Sequence, residues 1–221
     1  MREAFTADAE AGSPLAIFSD FDGTIAHPDT LNLLAESFAG VEFRRRIGRC
    51  IASGELSLRE AIQMEVQTIR GSLDEVLTFL RGHVQIDKTF PGFARWCQER
   101  QMHLTILSGG MRQVIESLLE PYDLGHVLIL ANRVRVEEGR WHLEFVDNTP
   151  WGHDKGAALR QARQEGYRTA FIGDGLSDRS AAGEADWVFA KSGLARYCDE
   201  QKIGYHTFDD FSDVQRVVEN R

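Results

Sequence analysis

Cysteine is scarce in this 221-residue chain: Cys50, Cys97 and Cys198 are odd in number, far apart and form no C-x-x-C. A disulfide framework and a zinc ribbon are excluded, and a reducing compartment is the simplest expectation. Positive charge is also in short supply, with 25 lysines and arginines against 34 acids and a net charge of -9. Nucleic acids and anionic membranes call for a net basic surface, so neither is an expected partner. No stretch approaches the roughly 18 apolar residues of a membrane span. The opening MREAFTADAEAGSP has acids and small residues where a secretory leader needs a basic start and an apolar run, so a cytoplasmic protein is expected. The seven histidines include no H-E-x-x-H, which leaves zinc hydrolysis without support. There are no repeats or low-complexity tracts, and only five prolines.

What remains is an ordinary globular composition, 43% hydrophobic and 27% charged, with a length that suits one core domain plus an insertion. Leu15-Ala-Ile-Phe-Ser19 is a short apolar run ending abruptly at Asp20-Phe-Asp-Gly-Thr24, as a buried strand does on meeting a polar loop. The pattern recurs at His103 to Leu107 before Ser108-Gly-Gly110, and at Thr169 to Ile172 before Gly173-Asp-Gly175. Helical stretches lie between them, at Met111 to Glu120 and Lys155 to Glu165. Strands alternating with helices predict an α/β fold on a parallel sheet. Trp187 to Ala190 and Tyr205 to Phe208 read as further strands. Val134 to Val136 and Trp141 to Phe145, flanking Glu137-Glu-Gly-Arg140, read as a hairpin or as two short antiparallel strands. Trp96 and Cys97 sit on a core-facing helix.

From Asp29 to Asp87 the apolar spacing is helical, as in Leu31, Leu34, Ala35 and Phe38, with no convincing strand. An all-helical insertion is expected there, too long for a βα loop. Ser57-Leu-Arg-Glu60 and Ser72-Leu-Asp-Glu75 are capping boxes and mark two helix starts.

Asp20 and Asp22, at i and i+2 in extended backbone, project to one side while Phe21 turns to the other. They stand beyond the carboxyl end of a strand, where open α/β sheets bind ligands. A calcium loop is the bland alternative, but its twelfth position needs Glu and here holds Leu31. Ser108-Gly109-Gly110 offers a hydroxyl and unhindered N–H groups at a helix start, suited to a phosphate oxygen; taken alone it is also a plain turn. Lys155 opens a helix where an ammonium can neutralise an anion, although a lone lysine also reads as a solvated side chain. Asp174 and Asp178, in Gly173-Asp-Gly-Leu-Ser-Asp178, supply the oxygen ligands of a hard cation.

In this order, D-x-D-G-T, Ser-Gly-Gly, Lys and G-D-G-x-x-D resemble the haloacid dehalogenase superfamily, specifically its phosphatases with a helical cap after the first motif. The resemblance runs from about Leu15 to Asp199. It implies a three-layer Rossmann-like parallel sheet core over 1–28 and 88–221, with an inserted all-helical cap over 29–87. It further implies that Asp20 is the nucleophile forming an aspartyl-phosphate, and that Asp22 protonates the leaving oxygen and then activates water. Mg²⁺ would be held by Asp20, the Asp22 carbonyl and Asp174, with Asp178 beside it. Ser108, Gly109 and Lys155 would bind the phosphoryl group. The assignment is physically coherent, because a carboxylate attacking an anionic phosphate needs cations and N–H donors to screen the repulsion. A halide leaving group needs no proton, so Asp22 favours phosphate over carbon–halogen chemistry.

The resemblance puts substrate choice in the cap. Asp29 stands where phosphoserine phosphatases carry an acid for the amino group. Glu65 stands in place of their carboxylate-binding arginine, and it would repel a substrate carboxylate. The stretches Leu107-Ser-Gly-Gly-Met111, Phe189 to Cys198 and Phe208-Asp-Asp-Phe211 resemble instead the methionine-salvage phosphatases acting on 2-hydroxy-3-keto-5-methylthiopentenyl-1-phosphate, although Trp151-Gly-His-Asp-Lys155 replaces their cysteine-rich stretch. The expected partner is a small phosphorylated metabolite, and the protein a monomer or homodimer. A phosphotransferase and a non-catalytic phosphate-binding regulator are the alternatives. Arg44-Arg45-Arg46 reads as a solvated helix face, with contact to an anionic substrate as its alternative, and His27 and His153 lie near the motifs.

Overall fold

The computed structural model describes residues 13–220, so most of the opening MREAFTADAEAGSP, where no leader is expected, lies outside the described residues. Strand β1 (Leu15–Ser19) pairs in parallel with β4 (His103–Met111) on one side and β7 (Arg168–Gly173) on the other. Beyond β7 lies β8 (Trp187–Ala190), again parallel, and beyond β4 lies β5 (Leu128–Glu137). An antiparallel edge strand, β6 (Arg140–Glu144), completes the order β6-β5-β4-β1-β7-β8. The β5–β6 turn places Glu138 and Gly139 both at positive φ, as a two-residue hairpin of strands twisted this way requires.

Alternation along the strands divides the core into two layers. Ile17, Ala170 and Ile172 join Phe93, Val114, Ile115 and Phe211 on one face. These come from helices α5 (Phe90–Glu99), α6 (Arg112–Leu119) and α10 (Phe211–Glu219). Ala16, Phe18 and Phe171 join Leu159, Ala181, Leu194 and Cys198 on the other face, from α7 (Lys155–Gln164), α8 (Arg179–Ala182) and α9 (Ser192–Gln201). Each fully buried Leu, Ile or Phe contributes about 1.5–3 kcal/mol, and both faces are needed because a parallel sheet leaves neither side for water. The expected three-layer α/β architecture is therefore present. No helix of the described residues is long and apolar enough to cross a membrane.

Between β1 and α5 the chain forms α1 (Thr30–Ala39), α2 (Val41–Ser53), α3 (Leu58–Val66) and α4 (Leu73–His83). Both capping boxes form: Ser57 Oγ accepts from the Glu60 amide and the Ser57 amide donates to Glu60, with Ser72 and Glu75 doing the same at α4. Three expectations need correction. The stretch 29–87 is not free of strand, since β3 (Gln85–Ile86) pairs antiparallel with β2 (Ala26–His27) where the chain leaves and re-enters the sheet. Tyr205 to Phe208 is not a strand: it makes one bridge, His206 to Phe189, before Asp210 caps α10. In addition, β4 does not stop at Leu107 but runs through Ser108-Gly-Gly to Met111 with a shifted register.

Candidate active site

A cavity of about 760 Å³ opens over the carboxyl ends of β1, β4 and β7, lined across from them by residues of α1, α2 and α3. Asp20 stands at its floor, 4% exposed, with its amide donating to Ile172 O at 2.8 Å in continuation of the sheet. Phe21 turns into the core with no exposure, as the i, i+2 alternation predicts. The ammonium of Lys155, also fully buried, bonds to Asp20 Oδ1 and lies 2.7 Å from Asp178 Oδ1. Burial would depress the Lys155 pKa, but the charges of Asp178 and Asp20 overcome it and hold the amine above its ordinary value. Burial, then Asp178, raise Asp20 well above the usual carboxylate range against the pull of Lys155.

Asp178 also accepts from the Asp174 and Gly175 amides, both at 2.9 Å, so one carboxylate fixes the β7 loop and the lysine together. Gly173 admits it: a Cβ there would lie 2.6 Å from Asp178 Oδ2. Asp174 is pushed up to about 6 by burial and by Asp178. Carboxylate oxygens of Asp20, Asp174 and Asp178 lie within 4.8 Å of one another. This donor set is all hard oxygen and electrostatically crowded, and it fits a small divalent cation such as Mg²⁺. Gly23, at φ +82°, leaves room for Asp174, whose Oδ2 would be 2.6 Å from a Cβ.

Asp22 does not join that triad through its side chain. Its Oδ1 accepts from the Thr30 amide at 2.7 Å, and burial, followed by the charge of Asp29, raises it to about 7. Ser108 is buried, and its Oγ accepts from the Gly110 amide at 2.9 Å. A Cβ on Gly110 would meet Asp22 Oδ2 at 2.8 Å, so glycine is what lets these two motifs touch. Ser108, Gly109 and Gly110 all line the cavity.

The opposite wall is polar at one place. Asp29 caps α1 through the Asn32 amide at 2.8 Å and is raised to about 6 by burial, with Glu65 adding to the shift. Glu65, 5% exposed, is raised to about 7 by burial despite Arg44 at 3.7 Å. Arg44 also donates to Asn32 Oδ1. Ile51, Leu58 and Ile62 line the same wall.

The basic run thus divides. Arg45 pairs with exposed Glu42 and Arg46 lies over Phe43, while Arg44 turns into the cavity. The signal was helical spacing, since Arg44, Ile47, Gly48 and Ile51 fall on one face. Asn32 was also missed, although it stands one turn beyond the Asp29 cap. Two further residues, Arg59 and Asp147, had no local signal of function. Arg59 ties α3 to the loop before Lys155, donating to Asp147 O at 2.5 Å and lying over Phe145. Asp147 Oδ2 accepts from the Asp154 amide at 2.7 Å, next to the lysine. His153 is buried against Ser108 O, and His27 is exposed on β2 and does not line the cavity.

The sequence profile of haloacid dehalogenase-like hydrolases matches residues 17–183. The chain belongs to that family. Among similar proteins, Pdp3-interacting factor 1 of Schizosaccharomyces pombe is 35% identical over 93% of this chain and 95% of its own length. A polyol phosphate phosphatase of Saccharomyces cerevisiae is 29% identical over 90% of each chain. A 2-hydroxy-3-keto-5-methylthiopentenyl-1-phosphate phosphatase of Bacillus thuringiensis is 30% identical over 93% of this chain and 96% of its own. In fold, a phosphoserine phosphatase solved as an analogue of its phospho-aspartyl intermediate superposes with a TM-score of 0.72 at 19% identity, covering 93% of this chain and 98% of that one. This member of the haloacid dehalogenase-like hydrolases is a phosphatase, a phosphoric monoester hydrolase acting on phosphorylated small molecules.

Proposed function

We propose that the protein hydrolyses a small phosphomonoester with an uncharged, hydroxyl-bearing tail, in two steps through Asp20. The observation that carries this reading is the buried contact of Lys155 with Asp20, which puts a fixed cation beside a carboxylate at the cavity floor. Asp20 attacks phosphorus and becomes an aspartyl-phosphate while Asp22 gives its proton to the departing oxygen. Asp22 then takes a proton from water as the acyl-phosphate is cleaved, so one acid serves both displacements. Ser108, the Gly109 amide and Lys155 hold the phosphoryl oxygens. Mg²⁺, held by Asp20, Asp174 and the Asp22 carbonyl with Asp178 beside it, would supply positive charge against the phosphate. Helices α1, α2 and α3 serve as the cap, within 29–87.

Substrate class follows from the polar wall. Arg44 is neutralised by Glu65, and Glu65 and Asp29 are acceptors, so the wall suits hydroxyl donors and opposes a carboxylate. This disfavours phosphoserine. A polyol phosphate, the substrate class in the name of the Saccharomyces relative, is the first reading. The thioether-bearing salvage ester is the second, favoured by the apolar side chains of Ile51, Leu58 and Ile62 on the same wall.

The test is phosphate release with Mg²⁺ from glycerol phosphate, longer polyol phosphates, phosphoserine and the salvage ester, using Asp20→Asn as control. Polyol phosphates are expected to give the highest kcat/KM. Full activity of Asp20→Asn sinks the mechanism, and a preference for phosphoserine sinks the substrate class.

A further inference from the structure

We propose that Asn132 and His153 are positioning residues of the phosphoryl cradle: they clamp the carbonyls of Gly109 and Ser108 and so hold the Ser108 hydroxyl as a free donor. The proposal rests on the reading of Ser108 as a phosphoryl ligand. Asn132 lies in β5, with no exposure, where the register with β4 jumps. Ser108 pairs with Ala131 and Met111 with Asn132, so Gly109 and Gly110 form a bulge between them. Peptide groups in a buried bulge need side-chain partners, and Asn132 provides one. Its Nδ2 donates to Gly109 O at 2.7 Å while its Oδ1 accepts from the Val146 amide at 2.9 Å. One partner is only an acceptor and the other only a donor, which fixes the orientation of the amide.

His153 holds the preceding peptide, with Nδ1 3.0 Å from Ser108 O. A carbonyl can only accept, so Nδ1 carries the hydrogen, and burial keeps the ring below its ordinary pKa and neutral. In a trans peptide the C=O and the next N–H point in opposite directions. Pinning Gly109 O therefore aims the Gly110 N–H, which donates to Ser108 Oγ at 2.9 Å. The hydroxyl oxygen is thereby occupied as an acceptor, and among the described residues no group accepts its O–H. The proton is left for a phosphoryl oxygen, and the bond accepted at Oγ strengthens the one it donates.

The experiment compares Asn132→Asp, His153→Ala, His153→Asn and Ser108→Ala in the full chain. It measures p-nitrophenyl phosphate turnover with Mg²⁺, inhibition by orthovanadate and circular dichroism. Asn132→Asp keeps the shape but sets an acceptor against Gly109 O, whereas His153→Asn restores a donor where Nδ1 was. Asn132→Asp and His153→Ala are expected to lower kcat about 10–100-fold and vanadate affinity in proportion, as loss of an orienting partner does at comparable sites. KM should move by less than about threefold, and His153→Asn should return to within about fivefold of the parent. Adding Asn132→Asp to Ser108→Ala should cost little more than Ser108→Ala alone, because both act through one hydroxyl. Undiminished kcat in folded variants, losses that multiply fully with Ser108→Ala, or His153→Asn no better than His153→Ala would each overturn the inference. If Asn132→Asp does not fold, the two His153 variants decide. Full activity of Ser108→Ala retires the phosphoryl-ligand reading and this inference with it, whereas loss in Ser108→Ala alone retires only the inference.

Discussion

The amide of Thr30, the first residue of α1, donates to Asp22 Oδ1 at 2.7 Å, so the helical region begins on a carboxylate of the D-x-D pair. Burial and the Asp29 charge push Asp22 to about 7 while the Thr30 amide pulls it back. An acid near that value is about half protonated at neutral pH, so it can both give a proton and take one. Asp22→Asn retains an oxygen for Thr30 but has no proton to give. Turnover of an alkyl phosphate is expected to fall about 10²–10⁴-fold, the usual worth of a general acid–base group. The first-step burst with p-nitrophenyl phosphate, whose leaving group needs little protonation, should fall far less, and rapid-quench measurement reads both. Equal losses for the two substrates would remove Asp22 from the acid's role.

Lys155 has the highest structural stake of any charge in the site, being wholly buried between Asp20 and Asp178. Lys155→Met strands buried carboxylates, a change that typically costs about 3–5 kcal/mol. The urea midpoint should drop accordingly and turnover should vanish. A stability within about 1 kcal/mol of the parent, the level of an exposed ion pair, would mean that the bridge is open to water in solution.

The parts legible in the sequence were those whose chemistry is local. The run into Asp20, the Gly173 to Asp178 loop and the two capping boxes are each specified within a few residues, and each stands where expected, whereas Ser108-Gly109-Gly110 is carried inside β4 as a bulge set by its pairing with β5. Gln85–Ile86 and the single bridge at His206 escaped because so short a pairing has no period of its own and depends on a distant partner. Arg44 was legible in principle from the stripe it shares with Ile47 and Ile51, but a run of three arginines looks alike on every face. Asn132 had no signal at all, since the bulge that needs it lies in a different strand.

Crowding of Asp20, Asp174 and Asp178 predicts a stabilising response to divalent cations. Asp174 stands at about 6 through burial and Asp178, so the folded protein without metal carries unrelieved repulsion. Mg²⁺ at about 100 times its dissociation constant should add about 2.7 kcal/mol to folding, and chelation should abolish turnover reversibly. Thermal melts with and without Mg²⁺ provide the measurement, with Asp174→Asn as comparison. An equal shift in that variant would place cation binding elsewhere.

Glu65 should make the protein more stable in mild acid than at neutrality. Its folded pKa of about 7, raised mainly by burial, lies above the ordinary 4.5. Between these values the folded state binds more protons than the unfolded chain, so this group's contribution is complete below pH 4.5, falls as pH rises and is gone above about 7. At 1.36 kcal/mol per pKa unit the change is about 3–4 kcal/mol at most, with the opposing pull of Arg44 already contained in the shift. Glu65→Gln removes the titration while keeping the shape and an oxygen for Arg44. Urea unfolding at pH 5, 6 and 7 should therefore give a flatter stability profile for the variant than for the parent. Parallel profiles would show that Glu65 titrates near its ordinary value and stands ionised beside Arg44 at neutral pH.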